Sequence, residues 1–301
     1  MTLQELRYLV AVARERHFGR AAARCFVSQP SLSVAIRHLE EELGVVLFER
    51  SHGEIGITEI GRQVVAQAER TLEEAARVKQ VAAASKDPLV GALRLGVIHT
   101  IAPYVLPELV AAVRARAPEM PLDIEENQTG HLERMLREGT LDVALLALPF
   151  ESPGIEVLPV YAEQFTLIVP LRHPWARRRQ ISTAALKDEN LLLLGAGHCL
   201  RDQVLEACQQ SPPGVEPGRQ GNSLETLRSM VASGLGITVM PATAMTARHV
   251  SRLIREVPFA PPVPQRTVVL ATRRGFYRPA VSHLLADILR GLPLPITGLS
   301  S

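Results

Sequence analysis

The sequence is poor in cysteine and in lysine. Its 301 residues include three cysteines, Cys25, Cys199 and Cys208, which are too few to build a disulfide-bonded secreted scaffold. Only three of the 33 basic residues are lysine, so arginine carries most of the positive charge. Arginine binds phosphates and guanine edges through two parallel donors, but a net charge of +2 by itself excludes no class of partner.

Signals for export and for membrane insertion are also missing. Residues 1–7 lack the basic-then-apolar order of a signal peptide. One uncharged stretch, residues 229–247, reaches membrane-spanning length, but its glycines and Pro241 predict a buried strand–turn–helix instead. We therefore expect a folded cytoplasmic protein with no membrane contact, whose thiols are normally kept reduced.

The first ninety residues have helical periodicity. Ser28 predicts a helix cap, and Pro30 suits the first turn of the helix that follows. An apolar stripe continues this helix at Leu32, Ile36, Leu39 and Leu43. Gly44 ends it, and a small hairpin begins at residue 45, which completes a pattern typical of a winged helix-turn-helix. The amphipathic segment 59–85 predicts a long helix that buries its stripe most simply against a second copy of itself.

Beyond a linker at residues 86–88, strands and helices alternate. Strands are predicted at 92–98, 122–125, 143–146 and 267–271, and helices at 105–116, 131–138 and 278–291. A comparable set recurs from Phe165 to Pro241, and the proline-rich residues 258–264 predict a hinge crossing. Such alternation indicates an α/β domain that binds ligands at the carboxyl ends of its strands.

Two groups of motifs carry a family resemblance. The segments FGRAAA (18–23), VSQPSLS (27–33), LEEELG (39–44) and FER (48–50) resemble the N-terminal signature of LysR-type bacterial transcriptional regulators. The segment GHCLRDQ (197–203), which leads to Cys208, resembles the redox loop of the OxyR group within that family. The segments HPW (173–175) and SLETLR (223–228) are similar to the same group.

The resemblance implies a fold and a division into domains. The expected fold class is α/β, with a winged helix-turn-helix DNA-binding domain (1–58), a linker and dimerisation helix (59–87) and a regulatory domain (88–301). The regulatory domain would have two α/β subdomains of periplasmic-binding-protein type. Subdomain I would comprise about 88–162 and 268–301, and subdomain II about 163–267.

The resemblance also implies partners. The chain would be a transcriptional activator rather than an enzyme, with no metal and no cofactor. A homotetramer, built as a dimer of dimers, would bind double-stranded promoter DNA and engage RNA polymerase. Hydrogen peroxide would be the signal, and glutaredoxin or thioredoxin would reduce the oxidised protein.

For DNA, the helix beginning near Pro30 would enter the major groove. The candidate contact residues are Ser28, Gln29, Pro30, Ser31, Ser33, Arg37 and Arg50. Residues 1–58 contain seven arginines and seven acidic residues, so phosphate attraction must come from local placement and from several copies binding together. The wing carries Glu54 where the OxyR group can be more basic, and Cys25 is predicted to be a buried structural thiol.

The other two cysteines stand nine residues apart. If residues 200–207 are helical, the Cα atoms of Cys199 and Cys208 lie about 13 Å apart, at about 1.5 Å per residue. A disulfide needs about 4.4–6.8 Å, so forming it would unwind the helix and couple oxidation to refolding. A position at the helix start, with His198 and Arg201 alongside, favours a thiolate at Cys199.

The resemblance gives these residues roles. Cys199 would be the peroxidatic cysteine, and its sulfenic acid would be resolved by Cys208 into a disulfide. The peroxide pocket would comprise Thr100, Thr129, His198, Asp202 and Arg266. A metal site at His198, Cys199 and Cys208 is disfavoured because these residues lack a close-spaced pair of ligands.

Two other functions remain open from the sequence. A LysR-type regulator can instead respond to a small coinducer between its regulatory subdomains, and Thr100, Thr129 and the turn at 234–236 would then line that cleft. Replacement of Cys199 by serine would leave such a regulator inducible. A thiol peroxidase is the second alternative, but an enzyme has no need of the N-terminal DNA-binding third.

Overall fold

The computed structural model describes residues 1–51, 54–84, 87–187, 189, 191–207, 220–246 and 251–298. The chain divides into two compact units, residues 1–86 and residues 87–301. Within the described ranges, no helix is long and apolar enough to cross a membrane.

The first unit is helical with one hairpin. Its elements are α1 (Leu3–Glu15), α2 (Phe18–Arg24), α3 (Gln29–Leu43), β1 (Phe48–Ser51), β2 (Glu54–Ile57) and α4 (Glu59–Ala84). The predicted ends of α3 are confirmed. The Ser28 hydroxyl accepts a hydrogen bond from the Ser31 amide at 3.3 Å, and Gly44 ends the helix with a φ of 69°. Leu32, Ile36 and Leu39 are buried in the core of this unit.

The long helix α4 buries part of its stripe within its own chain. Ala68 is fully buried, and Val64 and Leu72 pack against the same core. This part of the stripe is therefore buried within one chain, where α1 packs against α4, and burial of the rest of α4 against a second copy stays a prediction. Val78, nearer the end of α4, is 69% exposed and remains available to a partner. Cys25, predicted to be buried, is half-buried at the end of α2 and packs against this core.

The second unit contains two α/β cores. The first core is built on β3 (Leu93–Ile98), which pairs in parallel with β4 (Leu122–Asn127) and β5 (Val143–Ala147). Its helices are α5 (Ala102–Arg116), α6 (Thr129–Glu138) and α9 (Pro279–Arg290). The second core is built on β9 (Thr238–Pro241), β10 (Ile254–Pro258) and the parallel pair β7 (Leu193–Leu194) and β8 (Gln220–Gly221). Its helices are α7 (Cys199–Ala207) and α8 (Leu224–Ala232), and 3-10 turns lie at Pro174–Arg177, Thr183–Leu186 and Ala242–Met245.

Two long antiparallel strands join the two cores. These are β6 (Ile155–Pro170) and β11 (Gln265–Arg273), and the sheet runs in the order β10-β6-β11-β5-β3-β4, with β9 paired to β6. The expected subdomain limits at 162/163 and 267/268 fall inside these two strands. The names subdomain I and subdomain II are kept below for the cores built on β3 and on β9.

One prediction of local structure is wrong. Residues 229–247 were expected to form a strand, a turn and a helix, but residues 229–246 form the end of α8, a turn, β9 and a 3-10 turn. The reason is local: the Ser223 hydroxyl accepts from the Thr226 amide at 3.1 Å and starts α8 before this stretch begins. Gly234, with a φ of 77°, then turns the chain into β9.

A buried arginine secures the beginning of the second unit. Arg278 is 2% exposed and donates to the backbone oxygens of Pro88 at 2.7 Å, Ala92 at 3.1 Å and Gly91 at 3.3 Å. These bonds satisfy donors of the guanidinium group, whose burial would otherwise be costly. Arg278 therefore attaches the segment that follows α4 to subdomain I.

Candidate functional site

A small cavity lies where the predicted strands end. Its walls come from the carboxyl ends of β3 and β4 and from the start of α7. The lining residues are Ile98, His99, Thr100, Asn127, Gln128, Thr129, Gly197, His198 and Cys199. Its volume is about 10 Å³, on the scale of a single water molecule. The cavity lies at the strand ends where the sequence predicts ligand binding, because parallel strands bring these loops to one edge of the sheet.

Cys199 is the first residue of α7. Its side chain is half-buried and packs against the core of subdomain I. Backbone N–H groups at a helix start favour negative charge on a side chain placed there. Gly197, two residues earlier, has a φ of 90°, and a Cβ there would lie 2.7 Å from the Gln128 Oε1 atom. The positive φ favours glycine at this position, because other residues rarely adopt that backbone conformation.

Two histidine rings flank the thiol. The ring centroids of His99 and His198 are 5.6 Å apart, and His99 Nδ1 lies 3.0 Å from Glu126 Oε1. Burial lowers the pKa of His198, and the charge of His99 lowers it further. His198 is therefore neutral at pH 7. Arg201 donates to the Leu194 carbonyl at 2.9 Å, so it is held by the backbone of subdomain II. The cationic surroundings that the sequence led us to expect for Cys199 are absent from these described contacts.

Two threonine hydroxyls differ in their bonding. Thr129 Oγ1 is buried and has no hydrogen-bond partner among the described residues. Thr100 Oγ1 accepts a hydrogen bond from Arg266 Nη1 at 2.8 Å. Arg266 is fully buried and reaches this cavity through Thr100 rather than by lining it. Asp202 lies on the exposed face of α7 and does not line the cavity, which differs from its expected place.

The predicted partner of Cys199, Cys208, follows α7 directly in the sequence. The predicted helix between the two cysteines is confirmed over Cys199–Ala207. Cys208 lies outside the described residues, so its distance from Cys199 stays a prediction. Among the described residues, no group of three or more histidine, cysteine or acidic side chains is arranged to hold a metal ion.

A larger cavity of about 960 Å³ lies elsewhere in the second unit. It is lined by residues 148–151, residues 262–267, Thr183, Gln203, Glu206 and Ala207. Gln203 Nε2 donates to the Leu148 carbonyl at 2.6 Å, whereas its Oε1 atom is buried with no described partner. The turn at 234–236 lines neither cavity, because Leu235 is 56% exposed on the surface.

Most of the candidate DNA-binding residues lie at the N-terminal end of α3, with Arg37 farther along that helix and Arg50 in β1. Ser28, Gln29, Pro30, Ser31 and Arg37 are exposed, and Ser33 is half-buried. The Ser28 and Ser31 hydroxyls lie 2.8 Å from each other. The side chain of Arg50 is outside the described part of the chain. An exposed helix start with small polar groups suits contact with base edges in a major groove.

Several residues in and around the cavity beside Cys199 were missed from the sequence. His99 and Gln128 each adjoin a predicted threonine at a strand end, so their position was a usable signal. Glu163, which holds Arg266, lies two residues before the α/β set predicted from Phe165. Nothing local to Glu163 distinguishes it from an exposed surface acid.

Known proteins resemble the chain over nearly its whole length. The family described as bacterial regulatory helix-turn-helix protein, lysR family, matches residues 3–62, and the LysR substrate binding domain matches residues 86–292. A hydrogen peroxide-inducible genes activator from Dickeya chrysanthemi is 39% identical over 290 residues, covering 96% of this chain and 95% of that protein. The DNA-binding transcriptional dual regulator OxyR of Escherichia coli K12 is also 39% identical, with the same coverage.

Solved structures of OxyR proteins also resemble the chain. A full-length OxyR cysteine mutant from Pseudomonas aeruginosa is 45% identical, with a TM-score of 0.72, and covers 100% of this chain and 99% of that one. A hydrogen-peroxide-bound OxyR mutant from Corynebacterium glutamicum is 35% identical, with a TM-score of 0.66, and covers 96% of this chain and 91% of that one. The chain therefore belongs to the LysR family of bacterial transcriptional regulators and, within it, to the OxyR group of hydrogen peroxide-inducible gene activators.

Proposed function

We propose that this protein senses hydrogen peroxide at Cys199 and controls oxidative-stress genes by binding their promoters. The main support for this proposal is the cavity beside Cys199. It is of the size of a water molecule, and the buried Thr129 hydroxyl in its wall has no described protein partner. A buried donor without a partner is costly unless a bound molecule satisfies it. Of the signals considered from the sequence, peroxide is the one small enough for this cavity.

The chemistry uses the groups in that wall. The Cys199 thiolate attacks one peroxide oxygen, the O–O bond breaks, and the other oxygen leaves as hydroxide, which is protonated to water. The sulfur becomes a sulfenic acid, oxidised by two electrons, while the peroxide is reduced by two. The Cys208 thiol then displaces water from the sulfenic acid and forms the disulfide. Thr100, Thr129 and neutral His198 hold the peroxide and its leaving oxygen. Asp202 is retained only as a pocket residue to be tested, because it is exposed.

Oxidation acts as a switch because α7 separates the two cysteines. A continuous helix of nine residues keeps its ends about 12 Å apart. Bond formation between Cys199 and Cys208 therefore requires part of α7 to unwind. Leu200, Val204 and Leu205 of α7 are buried in subdomain II, so unwinding repacks that core.

Repacking of subdomain II would change how the protein binds DNA. We infer that four copies assemble as a dimer of dimers, with the exposed part of α4 contributing to dimerisation. Rotation of subunits would then change the spacing of the α3 helices on promoter DNA and present the complex to RNA polymerase. Such partners place the protein in the cytoplasm, where glutaredoxin or thioredoxin would reduce the disulfide. A dimer that stays rigid on oxidation would contradict this part.

The test is thiol mapping on the full-length reduced protein. The protein is treated with near-stoichiometric hydrogen peroxide, free thiols are blocked, and cysteine peptides are identified by mass spectrometry. We expect a rapid link between Cys199 and Cys208 while Cys25 stays free. Cys25→Ser is the matched control and should react at the wild-type rate, whereas Cys199→Ser should not react.

The absence of a disulfide after peroxide treatment would point to another function. If Cys199 and Cys208 stay free for minutes, peroxide sensing is wrong for this chain. The cavity of about 960 Å³ is large enough for a metabolite, so a coinducer-responsive regulator would then lead, and ligands should be screened against that cavity. Sustained peroxide turnover with a thiol reductant would instead indicate a peroxidase.

A further inference from the structure

A buried ion pair joins the two strands that connect the subdomains. Glu163 on β6 and Arg266 on β11 face each other in the strand register, and both side chains are fully buried. Arg266 Nε donates to Glu163 Oε1 at 2.7 Å, and Arg266 Nη2 lies 2.6 Å from the same oxygen. Burial of two charges is costly, so such a pair persists only when its remaining donors and acceptors are also satisfied.

Both side chains of the ion pair make further hydrogen bonds, Glu163 to subdomain II and Arg266 to subdomain I. Glu163 Oε2 accepts from the Thr243 hydroxyl at 2.7 Å and from the Thr243 amide at 3.3 Å, in subdomain II. Arg266 Nη1 donates to Thr100 Oγ1 at 2.8 Å, and Arg266 Nη2 donates to the Thr100 carbonyl at 3.1 Å, in subdomain I. A continuous hydrogen-bonded chain therefore runs from Thr243 through Glu163 and Arg266 to Thr100.

The hydrogen bond from Arg266 to Thr100 decides whether the Thr100 hydroxyl can donate to another molecule. A threonine hydroxyl has one hydrogen to donate and two lone pairs. Because Arg266 donates to Thr100 Oγ1, one lone pair is occupied and the hydroxyl hydrogen must point elsewhere. Thr100 also lines the cavity beside Cys199, so its hydrogen is free to face a solute there. A charged donor polarises the hydroxyl and strengthens it as a donor in turn.

We propose that Glu163 is a positioning residue for the reaction at Cys199, an inference that rests on the proposed function. Glu163 holds Arg266 in one orientation, Arg266 fixes the Thr100 hydroxyl as a donor, and that hydroxyl stabilises the hydroxide leaving the peroxide. Glu163 itself touches neither the thiol nor the peroxide. Its loss should slow the breaking of the O–O bond without changing the reactivity of Cys199 toward reagents that need no such donor.

Glu163→Gln tests this in the full-length protein. Glutamine keeps the shape of the side chain but removes its charge, so Arg266 loses its partner. The rate of Cys199 oxidation by hydrogen peroxide should fall at least about tenfold, a loss of about 1.4 kcal/mol of transition-state stabilisation. The rate of Cys199 alkylation by iodoacetamide should stay within about twofold, because alkylation requires a thiolate but no donor for leaving oxygen. A structural collapse of the site would change both rates together.

A matched control is available in another hydrogen bond between the subdomains. Tyr104 donates to Glu225 Oε1 at 2.9 Å, from α5 to α8, and neither residue lines the cavity beside Cys199. Glu225→Gln should therefore leave the peroxide rate unchanged. Should Glu163→Gln fail to fold, Thr243→Val removes one bond at the far end of the chain and should lower the peroxide rate about two- to fivefold, again with unchanged alkylation.

The outcomes separate this inference from the proposed function. If the wild-type protein does not react with peroxide, the proposed function fails. If the wild-type protein reacts and Glu163→Gln reacts equally fast, or loses peroxide and alkylation rates in parallel, the positioning role is refuted. If Glu163→Gln does not fold and Thr243→Val is oxidised by peroxide at the wild-type rate, the positioning role is also refuted. Slower peroxide oxidation with preserved alkylation, against an unchanged Glu225→Gln control, supports it.

Discussion

Thr129→Val should stabilise the protein and impair its chemistry at once. Thr129 is the first residue of α6, and its Oγ1 atom is buried in the wall of the cavity with no described hydrogen-bond partner. Valine replaces that hydroxyl by a methyl group of the same shape. The substitution therefore removes an uncompensated polar group and, on our proposal, one contact to the peroxide.

The two effects have opposite signs and known scales. A buried, unsatisfied hydroxyl costs about 1–3 kcal/mol, so Thr129→Val should raise the free energy of unfolding by about 1 kcal/mol. Loss of a hydrogen bond made to the reacting peroxide should slow Cys199 oxidation about tenfold, equivalent to about 1.4 kcal/mol. Most core substitutions lower both stability and activity, so this combination is diagnostic.

The assay has a built-in probe and control. The single tryptophan, Trp175, lies in the second unit, so its fluorescence during urea unfolding reports on that unit. Thr238→Val is the matched control, because the buried Thr238 hydroxyl donates to the Leu192 carbonyl at 2.7 Å. It should lose about 1–3 kcal/mol of stability and keep the wild-type peroxide rate. A Thr129→Val protein that is destabilised and reacts at the wild-type rate would refute the reasoning, since the hydroxyl would then serve the fold alone.

Three further substitutions test other parts of the molecule. Burial, and then the charge of His99, lowers the pKa of His198, so the unfolded chain binds a proton below about pH 6.5 that the folded chain does not. Stability should therefore fall as pH falls from about 6.5 through the lowered pKa, and urea midpoints of His198→Asn should decline less steeply over that window. Arg278→Met should lose about 2–4 kcal/mol in the same unfolding assay, because a buried side chain loses its bonds to three backbone carbonyls. Arg274→Met, at a 78%-exposed side chain, should change stability by less than about 0.5 kcal/mol. Ser28→Ala should cost about 1 kcal/mol of helix stability and weaken promoter binding in gel-shift titrations, and an unchanged affinity would remove Ser28 from the interface.

Local chemistry explains where the sequence predicted structure correctly. Ser28, Pro30 and Gly44 each favour one backbone conformation through a side-chain cap, a fixed φ or a left-handed turn, so the limits of α3 follow from neighbouring residues. Residues 229–247 show the limit of this reasoning. They carry no charged residue, so periodicity distinguishes helix from strand poorly there, and the cap at Ser223 lies before the stretch.

The sequence by itself determined the helix-turn-helix, the α/β alternation and the placement of Cys199 at the start of a helix, because these depend on residues close along the chain. Only the tertiary structure decided that Asp202 is exposed, that His198 is neutral, and that Glu163 holds Arg266. The residues of that last contact are 103 positions apart, and its register depends on how β6 and β11 pair. Burial and hydrogen bonding between distant residues are properties of the packed chain, and no local pattern specifies them.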